Sequence, residues 1–375
     1  MKVRGAVLTE MGLPAPYATS RPLDIVDLEL DGPGPGEILV RVRAAGLCHS
    51  DLSVIDGSRP RVMPMVLGHE GAGEVVGVGE GVDELAPGDH VVMTFVPTCG
   101  TCGPCLAGRA ALCEPGAAAN ATGALLSGER RWHAGAADKD PHHHLGVSAF
   151  AEHIVVSAKS AVRVDPDLPF DVAALFGCAV LTGVGAVLHS ANVAPGDSVA
   201  VFGLGGVGLA ALLGAKVAGA GTIIAVDVVP EKLALATQLG ATHAIAAGPQ
   251  ALEAIGEITR GGAQHVIETV GNANVLAGAY AATRRGGTTV TVGLPHPEQM
   301  LSIPAVSLVA EEKTLRGSYL GSSVPARDIP RFVALHQAGQ LPVERLLTHR
   351  LGLDELNEGF DRLARGEGVR QAVIF

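Results

Sequence analysis

Four cysteines fall within fifteen residues, at Cys99, Cys102, Cys105 and Cys113, with Gly100, Gly103 and Pro104 bending the chain between them. Thiols at this spacing suit a closed tetrahedral zinc site, structural in kind because no coordination position stays open. Unliganded loop cysteines, an iron–sulfur cluster and a zinc-ribbon nucleic-acid module are the competing readings. The other two cysteines stand apart. Cys48 lies in Gly46-Leu47-Cys48-His49-Ser50-Asp51, just after a predicted strand, and Gly68-His69-Glu70 follows a proline-containing loop. With Cys178, these residues offer two thiols and an imidazole, which would leave zinc a fourth position for water or substrate. Taken singly, Cys178 reads as a buried small hydrophobe and His69 as a satisfied polar residue, so spacing alone leaves this triad open.

A second kind of chemistry is written between Ser198 and Asp227. A buried strand (198–202) runs into Gly203-Leu204-Gly205-Gly206-Val207-Gly208, then an apolar helix (207–218) and a second strand (222–226) ended by Asp227. This is a dinucleotide-binding fingerprint in its required strand–turn–helix setting. Gly203 permits the tight turn, Gly205 lets backbone amides approach a pyrophosphate, and Gly208 lets helix and strand pack closely. Phosphates would sit at the helix N-terminus, where unpaired N–H groups and the dipole favour negative charge. An ornamental tight turn is the bland alternative in a chain with 50 glycines.

The elements that must position these residues fall into two regimes. With 375 residues, 47% hydrophobic and 17% charged, the chain is long enough for two packed domains. Residues 1–160 show short strands between Pro/Gly turns; in Glu37 to Ala44, Ile38, Val40 and Val42 alternate with Leu39, Arg41 and Arg43. That rhythm predicts a compact, barrel-like β domain. Residues 117–145 have no clear period and read as a long surface excursion. From Asp197 onward, strands at Val199, Ile223, Ala244, His265 and Thr288 alternate with helices at Val207, Glu231, Leu252 and Val275, the pattern of a doubly wound parallel sheet. Two helical stretches (326–338 and 353–364) and a last strand (371–375) are expected to return to the first domain.

The net charge of −11 argues against a nucleic-acid partner. No secretory signal is visible, and the 18-residue uncharged run from Ser198 to Ala215 reads as strand, turn and helix rather than a membrane span. A cytoplasmic protein without membrane association is expected.

Taken together and in order, Cys48-His49-Ser50-Asp51, Gly68-His69-Glu70-Gly71-Ala72-Gly73, the cysteine cluster, the glycine loop and Asp227 resemble the zinc-dependent alcohol dehydrogenases of the medium-chain dehydrogenase/reductase family. The resemblance implies an α/β fold in which a Rossmann doubly wound sheet (180–322) is inserted in a β-rich, GroES-like catalytic domain (1–179 and 323–375) with a structural zinc lobe (95–115). It places the active site in the cleft between the two. It implies two zinc ions per chain, one held by Cys48, His69 and Cys178 and one by the four clustered cysteines. Glu70 and Asp51 match residues that support the catalytic ligands, Asp51 orienting His69 through its free ring nitrogen.

By the same resemblance, zinc acidifies a bound alcohol, the hydride passes to a nicotinamide, and Ser50 takes the alcohol proton. Ser50 could instead cap a helix beginning at Asp51. Many relatives carry a histidine three residues later to continue the proton path; here that position is Ser53. Asp227 can accept both ribose hydroxyls of NAD and would repel the extra phosphate of NADP. Lys232 matches an adenosine-ribose contact, while His49 and Arg370 match pyrophosphate contacts, or else are solvated surface cations. Thr182, Val270 and Val292 match nicotinamide-packing positions.

Phe95, Leu145 and Leu294 match apolar substrate-cleft positions. Ser58, Arg59, Ala118 and His144 fall near the same cleft; a partly exposed loop position is expected for His144. Glutathione-dependent formaldehyde dehydrogenases are close relatives, but they place an arginine four residues beyond the fourth clustered cysteine, where this chain has Ala117. The expected reaction is NAD-linked oxidation of a primary or aromatic alcohol, or reduction of the matching aldehyde. A secondary-alcohol or polyol dehydrogenase is the near alternative, and a non-catalytic zinc protein that binds a partner the distant one. Met300 to Ile303 matches an edge strand that pairs two subunits in relatives, so a homodimer is expected.

Overall fold

The computed structural model describes residues 1–134 and 139–375. The chain divides into two compact units, one formed by Met1–Cys178, Val324–Val333 and Leu347–Phe375, the other by Ala179–Ser323 and Ala334–Leu346.

In the first unit, alternating apolar strands build two sheets around a shared core. One sheet has the order Trp132–His133, Leu23–Leu30, Lys2–Leu8, Met65–Val66, His142–His143. The other runs Ala161–Arg163, His90–Met93, Glu70–Val78, Glu37–Gly46, Arg370–Ile374, Leu347–Leu351, with His153–Ser157 also paired to Glu37–Gly46. Ile38, Val40 and Val42 are buried as their alternation requires, packed with Phe150, Trp132 and Phe360. The C-terminal strand pairs antiparallel with Ala44, Ala45 and Gly46, so the end of the tail joins the first unit's sheet, whereas Ala334–Leu346, expected in the first domain, groups with the second unit.

The stretch 117–145 departs from the surface excursion expected of it. Glu114–Thr122 is a helix, and Trp132 and His143 are fully buried on two-residue strands at opposite edges of the first sheet. Strands of two residues are too short to print a period. Residues 135–138, within this stretch, lie outside the described part. Buried Glu37 anchors its middle, accepting from Arg131 Nε at 2.8 Å and Ser127 Oγ at 2.7 Å.

In the second unit, six parallel strands follow the order His243–Ala246, Thr222–Asp227, Ser198–Phe202, Ala263–Glu268, Thr283–Thr291, Thr314–Gly317. Strand order reverses between the third and fourth of these, and the crevice at their carboxyl ends is where such sheets bind nucleotides. The uncharged run from Ser198 resolves into the strand Ser198–Phe202 and the helix Gly206–Val217. Among the described residues, no single helix is long and apolar enough to cross a membrane. Met300 to Ile303 is not a strand but irregular backbone, with Met300 85% exposed, followed by the short helix Ala305–Ala310. Pro304 interrupts the run, and a lone chain offers its backbone no partner.

Candidate functional site

In the first unit, the register of one antiparallel pair assembles the isolated cysteine and the histidine. Gly46, the last residue of Glu37–Gly46, lies opposite Glu70, the first residue of Glu70–Val78. Cys48 and His69 therefore leave neighbouring strand ends. A Cβ added at Gly46 would meet the Glu70 carboxylate and its Cβ, so a larger residue there would push Glu70 aside. Cys178 arrives from a third direction, after the 3-10 turn Ala174–Gly177; Gly177 packs so closely on the Met93 carbonyl that a Cβ there would lie 2.2 Å from it.

The result is a buried donor set. One donor atom from each of Cys48, His69, Glu70 and Cys178 lies within 4.8 Å of the other three. A hydrogen bond with Cys178 holds the Cys48 thiol well below its usual range, and the same bond pushes Cys178 well above. Burial raises Glu70 to about 7, against the attraction of Arg370. Neither Glu70 oxygen has a hydrogen-bond partner among the described residues, although Arg370 Nη2 stands 3.1 Å from Oε1 as an ion pair. Two thiols, an imidazole and an underused carboxylate in a dry pocket fit a zinc ion, which would discharge the strain of packing acidic groups together.

Asp51 sits in the first turn of the helix His49–Ile55 and is fully buried. Its Oδ1 is 3.0 Å from His69 Nδ1, the geometry in which a carboxylate fixes an imidazole's orientation and leaves Nε2 to a metal. Burial opposes the charge of both partners; mutual attraction wins, lowering Asp51 and raising His69. The helix begins at His49 with Cys48 as N-cap, so Ser50 lies inside the first turn and does not cap a helix starting at Asp51. Ser53, where relatives have a histidine, spends its hydroxyl on the His49 carbonyl at 2.8 Å.

The four clustered cysteines also converge, their Sγ atoms within 4.8 Å of one another. Backbone amides turn toward them: Cys99 N–H donates to Cys113 Sγ at 3.2 Å, Cys102 N–H to Cys99 Sγ at 3.3 Å, and Gly116 N–H to Cys113 Sγ at 3.4 Å. Amide donation from Thr101 and Cys102 lowers Cys99 to about 6, while burial lifts Cys105 to about 12. Four converging sulfurs, two of them receiving backbone amides and none accompanied by another kind of donor in the set, fit a closed zinc site.

In the second unit, the glycine loop joins Ser198–Phe202 to Gly206–Val217. Gly203 has φ +87°, in the left-handed region that favours glycine, and a Cβ on Gly208 would lie 1.8 Å from the Gly203 carbonyl. Nothing lies within 4 Å of where a Gly205 Cβ would be, which leaves that face of the loop open. Asp227 accepts from Leu204 N–H at 2.6 Å through Oδ2 and from Val229 N–H at 2.9 Å through Oδ1, so the acid is fixed beside the loop. The next side chain, Val228, is exposed and apolar.

One acid was not singled out by its pattern. Glu268 ends Ala263–Glu268 as Asp227 ends its strand; it accepts from Val270 and Gly271 N–H at 2.6 and 2.7 Å and from Thr291 Oγ1 at 2.6 Å. Across the reversal in strand order, Thr269 Oγ1 donates to the carbonyls of Phe202 and Gly203 at 3.0 and 2.9 Å. An acid closing a second parallel strand was the signal available.

The remaining expected residues divide by environment. Thr182 is buried, Val292 is half-buried, and Val270 is 52% exposed. Lys232 is half-buried and His49 exposed. Arg370, expected at a pyrophosphate or else on the surface, is not a solvated surface cation: it is buried, with Nη1 donating to the Leu47 carbonyl at 3.0 Å and Nη2 beside Glu70. Phe95 packs edge-on to His69, ring centroids 5.5 Å apart, and Leu145 is buried nearby in sequence to His144. Ala118 and Leu294 are exposed, while Ser58 and Arg59 are half-buried on the turn after the His49–Ile55 helix. His144 is not on a partly exposed loop: it is 1% exposed, and Nδ1 lies 3.1 Å from Asp51 Oδ1. The turn that follows carries its ring inward.

Comparison with known proteins adds to this geometry. The alcohol dehydrogenase GroES-like domain matches residues 34–166 and the zinc-binding dehydrogenase domain residues 206–338. An NDMA-dependent alcohol dehydrogenase of Amycolatopsis methanolica is 41% identical, over 100% of this chain and 99% of its own length. An S-(hydroxymethyl)glutathione dehydrogenase of Escherichia coli is 37% identical over 100% of both chains. The solved structure of a benzyl alcohol dehydrogenase from Acinetobacter calcoaceticus superposes with a TM-score of 0.92 at 33% identity, covering 100% of this chain and 99% of that one.

Proposed function

We propose, because this chain belongs to the zinc-binding alcohol dehydrogenases of the medium-chain dehydrogenase/reductase family, that it transfers a hydride between a primary or aromatic alcohol and NAD. The observation that carries the reading is the buried convergence of Cys48, His69 and Cys178 donors beside Glu70.

Zinc at this set would act as a Lewis acid, acidifying an alcohol or polarising an aldehyde carbonyl, and NAD would supply the hydride acceptor. The chain's own residues do the rest. Asp51 holds His69 in the tautomer with its proton on Nδ1, so that Nε2 faces the donor set. Ser50, two residues beyond Cys48 in the same helical turn, accepts the alcohol proton through its hydroxyl. Since Ser53 is bonded to a backbone carbonyl, that proton leaves through water rather than through a side chain at position 53. Phe95, packed on His69, excludes water and favours an apolar substrate.

NAD preference rests on Asp227, which would accept ribose hydroxyls and repel a 2′-phosphate, with Val228 offering no cation to receive one. The similarity to a benzyl alcohol dehydrogenase supports an aromatic alcohol. Ala117 carries no cation for a glutathione carboxylate, which argues against the substrate named for the Escherichia coli relative. A homodimer would cover the exposed apolar side chains of Met300, Val306 and Val309, and sedimentation tests it.

The test is a steady-state panel on protein of known zinc content. It sets benzyl and aliphatic primary alcohols against secondary alcohols, polyols and S-(hydroxymethyl)glutathione. NAD, NADP and NDMA serve in turn as acceptor, since one relative is named for NDMA. The highest kcat/KM is expected for benzyl alcohol with NAD. A higher value for a secondary alcohol, or turnover with NDMA and none with NAD, would overturn the corresponding part.

A further inference from the structure

The Asp51 carboxylate serves two histidines through a single oxygen. His69 Nδ1 is hydrogen-bonded to Oδ1 at 3.0 Å, and His144 Nδ1 lies 3.1 Å from the same atom in an ion-pair contact short of hydrogen-bond alignment, while Oδ2 is buried without a hydrogen-bond partner among the described residues. All three side chains are buried, and the two imidazoles meet edge to face with centroids 5.7 Å apart. Among the described residues no group hydrogen-bonds Oδ2, so the polar contacts that orient the carboxylate are those of the two rings.

The backbone is built to deliver His144 there. Its N–H donates to Ser148 Oγ at 2.9 Å, and its carbonyl accepts from Val147 and Ser148 N–H at 3.0 and 3.2 Å. Leu145 and Ser148 take φ of +53° and +60°, the left-handed conformation that is strained for a residue with a side chain. Two strained residues bracketing one tight turn, with the preceding ring buried against a carboxylate, mark a position held for a purpose beyond closing the loop.

We infer that His144 is a positioning residue: by fixing the Asp51 carboxylate it sets the orientation and donor strength of His69 toward the metal. This rests on the zinc reading of the Cys48, His69 and Cys178 set. His144 is not a member of the Cys48, His69, Glu70 and Cys178 donor set; it acts through Asp51. A group one step removed from a ligating imidazole typically changes metal affinity or activity by about 10- to 100-fold.

The experiment uses the zinc-loaded protein and follows release of each zinc to a chromogenic chelator, with the four-cysteine zinc as internal control. His144→Phe keeps a ring of similar size but removes the nitrogen. It is expected to release the catalytic zinc about 10-fold faster and leave the structural zinc unchanged. His144→Asn places an amide nitrogen where Nδ1 was, and is expected to restore slow release. Cobalt exchanged into the catalytic site gives a second readout: its visible absorption band should shift in the Phe variant and return in the Asn variant. If the Phe variant does not fold, His144→Gln, whose amide lies one bond farther out, provides the same contrast with Asn. Wild-type protein with two zincs and a Phe variant with unchanged release and spectrum would overturn this inference alone. Wild-type protein holding only one zinc would overturn it together with the zinc reading.

Discussion

Arg370 and Glu70 form a buried ion pair, 3.1 Å from Nη2 to Oε1, in which Glu70 is also a member of the Cys48–His69–Cys178 donor set. The same guanidinium donates to the carbonyl of Leu47, the residue before Cys48. One side chain near the C-terminus thus ties down both strand ends that deliver the site. Removing one partner of a buried pair costs about 3–5 kcal/mol where the other stays charged, and Glu70, already raised to about 7, can take up a proton, which makes that figure the upper end. Arg370→Ala is expected to lose stability on that scale in denaturant unfolding of the zinc-loaded protein. A loss below about 1 kcal/mol, the range of exposed pairs, would contradict the assignment.

Asp227 carries a second expectation. Asp227→Asn keeps an oxygen for the Leu204 amide but removes the charge and one acceptor. A hydrogen bond to a charged group contributes roughly 1.5–3 kcal/mol, so kcat/KM with NAD should fall about 10- to 100-fold and the NADP-to-NAD ratio should rise. Parallel kinetics with both cofactors decide it, and an unchanged ratio would remove Asp227 from cofactor selection.

Burial holds His143 at about 3, and its Nε2 accepts from the Arg131 backbone N–H at 3.2 Å, a bond the protonated ring cannot accept. The unfolded chain, near the ordinary 6.5, takes up the proton first as pH falls. The neutral ring's contribution is therefore complete above about pH 6.5 and is lost progressively toward pH 3. By pH 5 the loss is on the order of 2 kcal/mol. His143→Phe, though less stable at pH 7.5, should show a shallower fall in unfolding free energy between pH 7.5 and 5 than the wild type. Equal slopes would show that His143 is not the group responsible.

Ser50 is expected to matter to turnover and not to metal. Proton transfer by a positioned group contributes about 100- to 10,000-fold, so Ser50→Ala should lower kcat by about 100-fold or more with two zincs retained. Ser50→Thr, which keeps the hydroxyl, should recover much of it. Unchanged turnover in the alanine variant would rule out the proton-accepting role.

Which of these residues the sequence disclosed follows from how far their partners lie along the chain. Asp227 and the Gly203–Gly208 loop are one local unit, and their strand, turn and helix were readable within a residue of where they stand. The four clustered cysteines were legible for the same reason. Cys48, His69 and Cys178 needed the family resemblance, because only the Gly46–Glu70 register and the turn before Cys178 bring them together. His144 and Trp132 were misplaced as surface residues, since two-residue strands and a turn with positive φ leave no hydrophobic period. A solvated surface position for Arg370 is excluded only by the structure, because a sequence does not show that a buried glutamate awaits it. Met300 to Ile303 matched an edge strand that needs a second copy to pair with, and alone it has no strand structure.

The central claim is that Cys48, His69 and Cys178 hold a catalytic zinc distinct from the four-cysteine site. Zinc content, measured on wild type and Cys178→Ala alongside benzyl alcohol oxidation with NAD, tests it most directly. Two zincs per chain in the wild type, one in the variant, and loss of activity with the second are expected. One zinc in the wild type, unchanged by Cys178→Ala, would contradict the account.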